Sequence, residues 1–282
     1  MSALRDRAVA LTGATGGIGS ALCAALVEAG ATVHAIGRDH RRLGALAAAH
    51  PGRVLPLAAD LSTPAGVQRA CTLLAAARPE PSVLVLGAAV SRFGMFEDLD
   101  SADLAAMVET NLLAPMRLVH ALLPRLARTR DPAVVAVGST FGSIGFPGFA
   151  AYSATKFGLR GFIEALAREH ADGPVRFQYL SPRATRTPIN PPAVDALNAE
   201  LGTAVDEPAA VARQLVAAIV RGDRRRQLGF PEKLFARLNG ALPALVDRAL
   251  AKQLPTVRRH ARAAPIAAPP GAASPTTQEV LP

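Results

Sequence analysis

The chain has 282 residues, half of them apolar and 19% charged, which suits one large α/β domain and excludes an intrinsically disordered polypeptide. A formal charge of +9 raises nucleic-acid binding, but the arginines are scattered and the clusters "RGDRRRQ" (221–227) and "RRHAR" (258–262) lack interleaved stacking aromatics, so no nucleic-acid partner is expected. Two cysteines, Cys23 and Cys71, are too few for a disulfide framework or a zinc site.

No metal is expected, and no run approaches the roughly 18 apolar residues of a membrane span. The chain enters a strand pattern at once ("RAVALTG"), without a signal peptide, and a cytoplasmic location is the expectation. Strands are predicted at 8–13, 32–37, 53–58, 82–88, 133–139 and 175–180, separated by helical periodicity at 17–29, 63–77, 101–127 and 150–170. After the loop-like "SPRATRTPINPP" come a helix near 207–221 and a last strand in "RQLGF". Continuous apolar strands alternating with helices predict a Rossmann-type doubly wound α/β fold: about seven parallel strands, helices on both faces, ligands beyond the carboxyl ends.

Residues 1–230 are assigned to this domain. Residues 231–256 are read as an amphipathic helical extension that Pro243 should kink or split, and 257–282 as an Ala/Pro/Ser/Thr-rich disordered tail. The extension's uses are packing on the domain or a second subunit, covering a pocket, or touching a membrane.

The first strand runs into "TGATGGIGS". Glycines at 13, 17 and 19 permit a tight turn and bring backbone close to a pyrophosphate at a helix N-terminus. The second strand ends in "GRDHRRL"; Arg38 favours a ribose 2′-phosphate and hence NADP(H), with Asp39 next to it as the competing signal for NAD(H). Farther on lies "AAYSATKFGLRGF", where Tyr152 and Lys156 stand one helical turn apart. The chain has only two tyrosines and three lysines. A nearby ammonium is expected to lower the phenol's pKa from its ordinary value near 10 toward neutrality. Ser139, at the end of the fifth strand, is placed to meet the same carbonyl.

Together these segments resemble the short-chain dehydrogenase/reductase family. Its T-G-x-x-x-G-x-G pattern is matched by Thr12, Gly13, Gly17 and Gly19, and its Y-x-x-x-K with an upstream serine by Ser139, Tyr152 and Lys156. Asn111 in "ETNLLAP" stands at the family's catalytic asparagine, Asp60 in "ADLS" at the acid that contacts adenine, and Thr187 in "TRTPI" at the threonine that reaches the carboxamide. The resemblance implies catalysis by Asn111, Ser139, Tyr152 and Lys156. It implies cofactor contacts by Thr12, Gly13, Thr15, Gly17, Ile18, Gly19, Arg38, Asp60, Leu61, Gly87, Tyr152, Lys156 and Thr187. The implied reaction is hydride transfer between nicotinamide and a carbonyl or alcohol carbon, with Asn111 keeping a relay water behind Lys156.

Two stretches depart from the family. Leu86-Gly87-Ala88-Ala89 replaces its usual N-N-A-G, and Pro182-Arg183 its Pro-Gly. Arg183 is read either as a cation for an acidic substrate group or cofactor phosphate, or as a solvent-facing loop residue. Phe93, Met95, Phe96, Phe141, Ile144, Phe146 and Phe149 suggest a hydrophobic ketone or 3-oxoacyl-like substrate, or simply core and interface packing. A homo-oligomer is expected. The competing readings are a cofactor-binding redox sensor and a peripheral membrane protein using the basic C-terminal segment.

Overall fold

The first five strands carry no Asp, Glu, Lys or Arg, and in this computed structural model, which describes residues 4–263, they pair side by side in parallel. They are β1 (Ala8–Thr12), β2 (Thr32–Gly37), β3 (Val54–Ala58), β4 (Val83–Leu86) and β5 (Ala133–Val137). With β6 (Arg176–Ser181) and β7 (Arg225–Gln227) they form one seven-stranded sheet in the order β3-β2-β1-β4-β5-β6-β7. Every residue of β1, β4 and β5 is buried, as a parallel sheet covered on both faces requires.

The helices supply that cover. On one face, α1 (Gly17–Glu28), α2 (His40–Ala49) and α8 (Pro208–Arg221) set Leu22, Leu26, Leu43, Leu215 and Ile219 against Val9, Val33 and Val135. On the other, α3 (Pro64–Ala76), α5 (Ala114–Leu126) and α6 (Ala150–Glu169) set Leu74, Leu118, Leu122, Leu159 and Ile163 against Leu84, Val134 and Phe177. Strand order reverses between β1 and β4, so their carboxyl ends open the crevice where such sheets bind ligands.

The helix predicted at 101–127 is not uniform. It begins as α4 (Ser101–Val108), widens into a π turn at Glu109–Leu113, and continues as α5. A further helix, α7 (Pro192–Glu200), lies between the loop-like stretch and the helix predicted near 207–221. Pro192 at its first turn supplies the preset φ that a helix start favours.

The C-terminal region corrects one expectation. Pro243 splits the extension into α9 (Glu232–Ala241) and α10 (Pro243–Ala263), with Leu242 outside the α region, which the residue before a proline avoids. The helix then runs through Pro255 to Ala263, so 257–263 is helical rather than a tail. The reason is burial: Val257 and Ala261 pack against Phe93 and Phe149. The remainder of the predicted tail, 264–282, lies outside the described residues.

Arg183 serves neither role considered for it. Its Nε and Nη2 donate to Asp206 Oδ2 and Oδ1 at 2.9 and 2.7 Å, and Nη1 donates to the Phe230 carbonyl at 2.9 Å and reaches Glu232 at 3.5 Å. The turn it grips contains Gly229 at φ +86°, where a Cβ would lie 2.6 Å from Arg183 Cδ. A residue standing in place of glycine after β6 therefore ties down the entry to α9. Arg183→Ala removes a bidentate, part-buried ion pair and strands Asp206; unfolding in urea should show a loss of about 2 kcal/mol.

Candidate active site

Gly13 ends β1 at φ +70°, a conformation other residues rarely adopt, and a Cβ there would lie 2.7 Å from Ala88 Cα. A Cβ on Gly19 would collide with the Gly13 carbonyl, and one on Gly17 would lie 2.6 Å from the Thr187 side chain. No side chain caps the N-terminus of α1 and no acidic residue sits in its first turn. Its free N–H groups and dipole therefore face outward toward the crevice as an anion site. Thr15 and Ile18 belong to this turn, with Thr15 against Gly37 of β2, where a Cβ would lie 3.0 Å from Thr15 Oγ1.

Across the crevice the Leu86–Ala89 stretch is held by Thr12. Its Oγ1 donates to the Val85 carbonyl at 3.3 Å and accepts from Gly87 N and Ala88 N at 2.9 and 3.1 Å. A Cβ on Gly87 would lie 2.8 Å from the Thr12 carbonyl, so this glycine keeps the two strand ends close without the family's asparagines. Asp60 Oδ1 accepts from Ser62 N and Oγ, and Leu61 beside it is buried. Asp39 caps α2 by accepting from Arg42 N at 3.1 Å, whereas Arg38 is exposed and has no ion-pair partner among the described residues. These residues fit a dinucleotide: a glycine cradle with no room for Cβ atoms, an uncapped helix end, and an acid at the third strand's end.

The four catalytic candidates converge beyond β4 and β5. Asn111, fully buried in the π turn, accepts from Val90 N at 2.8 Å and donates to the Val90 carbonyl and Thr155 Oγ1 at 2.8 and 3.1 Å. Both amide hydrogens are thus used inside the protein, pinning the loop after β4 to α6. Thr155 passes the chain on by donating to the Tyr152 carbonyl at 2.8 Å. Lys156 Nζ donates to the Val137 carbonyl at 3.1 Å and lies 5.6 Å from the centre of the Tyr152 ring. Ser139 opens a short 3-10 turn over Thr140–Gly142, its Oγ accepting from Phe141 N. That bond leaves the serine hydrogen free to be donated.

Sequence reasoning missed Tyr179, the other tyrosine. Buried beneath the site, it donates to the Lys156 carbonyl at 3.1 Å, and a Cβ on Gly138 would run into its ring and one on Gly142 into its hydroxyl. The glycines that flank Ser139 in sequence were the available signal for that close approach.

The electrostatics overturn one expectation. Burial pushes the Tyr152 phenol up to about 12, the Ser139 hydroxyl acting in the lowering direction without reversing it. Burial also pulls the Lys156 ammonium down to about 8. Desolvation opposes the charged form of each group, and for Tyr152 it outweighs the lowering expected of the lysine.

Around Tyr152 is an aromatic group. Phe141 stacks on Phe146 at 5.1 Å, Phe149 tilts against Phe141 at 5.1 Å and Phe93 at 5.0 Å, and Tyr152 presents its ring to the edges of Phe141 and Phe149 at 6.4 Å. Met95 packs here too, Ile144 is buried nearby, and Phe96 points to solvent.

A nucleotide crevice at the switch point of a parallel sheet, with a tyrosine and lysine one turn apart beside it, defines an oxidoreductase of the dinucleotide-binding class. The chain belongs to the short-chain dehydrogenase family, whose model matches residues 7–198, and it acts on CH–OH/C=O groups with NAD(P). Nodulation protein G of Rhizobium sp. (strain N33) is 31% identical over 221 residues, 75% of this chain and 90% of the relative. 3-Oxoacyl-[acyl-carrier-protein] reductase FabG of Escherichia coli (strain K12) is 31% identical over 176 residues, 61% of this chain and 70% of the relative. A short-chain dehydrogenase from Sphingobium yanoikuyae, solved in complex with NADPH, superposes with a TM-score of 0.73 at 25% identity, covering 86% of this chain and 95% of that one. Among the described residues no helix is long and apolar enough to cross a membrane, and no cluster of His, Cys, Asp and Glu could hold a metal.

Because burial raises both phenols, native protein at pH 10 should show little phenolate absorbance, whereas the unfolded chain should be about half ionised. A folded pKa above the unfolded one means that Tyr152 contributes stability lost as pH rises from 10 to about 12. Substantial native phenolate at pH 10 would contradict the burial assignment.

Proposed function

We propose that the chain is an NADP(H)-dependent reductase of a hydrophobic carbonyl compound, a ketone or 3-oxoacyl-like molecule. The observation that carries this reading is the placement of the Ser139 and Tyr152 hydroxyls and the Lys156 ammonium at one end of β5, against an aromatic wall. The bound nicotinamide would supply or take up the hydride. Thr12, Gly13, Thr15, Gly17, Ile18, Gly19, Asp60, Leu61, Gly87 and Thr187 would hold the cofactor, with Arg38 at the ribose 2′-phosphate.

In the reductive direction Tyr152 donates its proton to the developing alkoxide. Its raised pKa keeps the proton on the phenol until charge develops on the substrate oxygen. Ser139 donates a hydrogen bond to that same oxygen, stabilising the charge where it forms. Lys156 holds the nicotinamide ribose and supplies positive charge behind the phenol. Asn111 acts as a positioning residue: with both amide hydrogens committed, a relay water would be held by backbone of the π turn. Two similar proteins support the details, the Sphingobium yanoikuyae dehydrogenase solved with NADPH and the 3-oxoacyl-[acyl-carrier-protein] reductase of Escherichia coli.

Arg38 supports NADP(H) because it is exposed and has no ion-pair partner among the described residues, while Asp39 is spent on capping α2. A redox sensor would need the crevice but not the acid–base set, which weakens that alternative.

Tyr152→Phe should lower kcat by at least about a thousandfold while NADPH still binds, as measured by fluorescence titration. Turnover within tenfold of wild type would remove Tyr152 from the mechanism, and a wild type inert toward every carbonyl offered would favour the sensor. Arg38→Ala should raise KM for NADPH at least about tenfold and leave KM for NADH nearly unchanged, since one charge-assisted contact is lost. An equal effect on both cofactors would count against the 2′-phosphate role.

A further inference from the structure

Beyond the two cores that flank the sheet, the described residues contain a third apolar cluster at the carboxyl end of the strands. It is built from two halves. One half is a floor of Phe93, Phe141, Phe146, Phe149 and Tyr152, from the loops after β4 and β5 and the start of α6. The other is a cover of Val194 and Leu197 on α7 and Val257 and Ala261 on α10. The family match ends at residue 198, so half of this cover comes from chain outside it.

The two halves are joined differently from the two helices of the cover. Within the cover, Glu200 of α7 pairs with Arg259 and with His260 Nε2 of α10, the latter at 2.8 Å, and accepts from Thr256 at 3.5 Å. Between cover and floor, no hydrogen bond or ion pair joins α7 or α10 to the loops or to α6 among the described residues. Contact there is apolar, and closest over Gly148 (φ +81°), where a Cβ would lie 2.6 Å from the Phe93 ring and 3.1 Å from Val257 Cγ1. An apolar molecule entering this seam breaks no polar bond and replaces apolar contacts with apolar contacts. Its one polar requirement, a carbonyl oxygen, is met by the Ser139 and Tyr152 hydroxyls on the floor.

We infer that Val257 and Ala261 of α10, with Val194 and Leu197 of α7, form the outer wall of the substrate pocket and set which apolar chains reach Tyr152. The inference rests on the reductase reading and adds to it the residues that choose the substrate. Val257 is the decisive position because it is fully buried and touches the loop between Ser139 and Tyr152.

The test uses the full-length protein, NADPH and straight-chain ketones of increasing length. Val257→Ala should raise the ratio of kcat/KM for the longest ketone over the shortest by roughly tenfold, and Val257→Phe should lower it by a similar factor. The change should fall mainly in KM, with the NADPH dissociation constant unaltered. Thermal unfolding reports whether each variant is folded; if Val257→Phe is not, Val257→Ala decides alone. A folded Val257→Ala enzyme that keeps the wild-type ratio overturns the inference while leaving the reductase reading intact. A wild type that oxidises no NADPH with any ketone overturns the reductase reading and the pocket assignment with it.

Discussion

A parallel sheet buried on both faces leaves ligands only its two ends, and this constraint orders everything else in the molecule. Helices fill the faces with Ala, Leu and Val, so the polar groups of the site gather at the carboxyl edge. There the Thr12 hydroxyl joins β1 to the chain leaving β4, at the point where strand order reverses. One side of that junction is the glycine cradle, and the other leads to Asn111, Ser139 and Tyr152. The cofactor crevice and the acid–base centre therefore share a single anchor at the middle of the sheet.

Holding Lys156 buried and Tyr152 half-buried works against their charged forms, and the surroundings reflect that cost. Lys156 donates to a backbone carbonyl, its own carbonyl receives the Tyr179 hydroxyl, and Asn111 and Thr155 brace the same turn from behind. The arrangement is a network set in place before any ligand arrives, with the Ser139 and Tyr152 hydroxyls and the remaining Lys156 donors left for a ligand. Such preorganisation is what electrostatic catalysis requires.

Much of this was legible in the residues. Uninterrupted apolar runs gave away a parallel sheet, and Gly13, Gly17 and Gly19 carried the backbone geometry of the crevice in their lack of side chains. The spacing of Tyr152 and Lys156 placed both on one helical face. Other features depend on partners far away in the chain. Arg183 looked like a free loop cation until the fold brought Asp206 and Phe230 to it. Residues 257–263 looked like the start of a tail because Ala and Arg dominate there, and only the Phe93 and Phe149 rings explain why Val257 and Ala261 are helical and buried. The pKa of Tyr152 was misjudged for a similar reason: spacing reports a neighbour but not the loss of water around both groups.

The connection between α10 and the rest of the protein has a consequence for how the molecule opens. The sheet is closed by β7 before α9 and α10 begin, and Arg183 fixes the point from which they leave. Past that point α10 depends on a small apolar seam and on solvent-exposed pairs with α7, which contribute little once screened by salt. Detaching α10 would therefore break exposed ion pairs and apolar contacts but no strand pairing. The sheet and its crevice are thus complete without α10, which lies on them as an added layer.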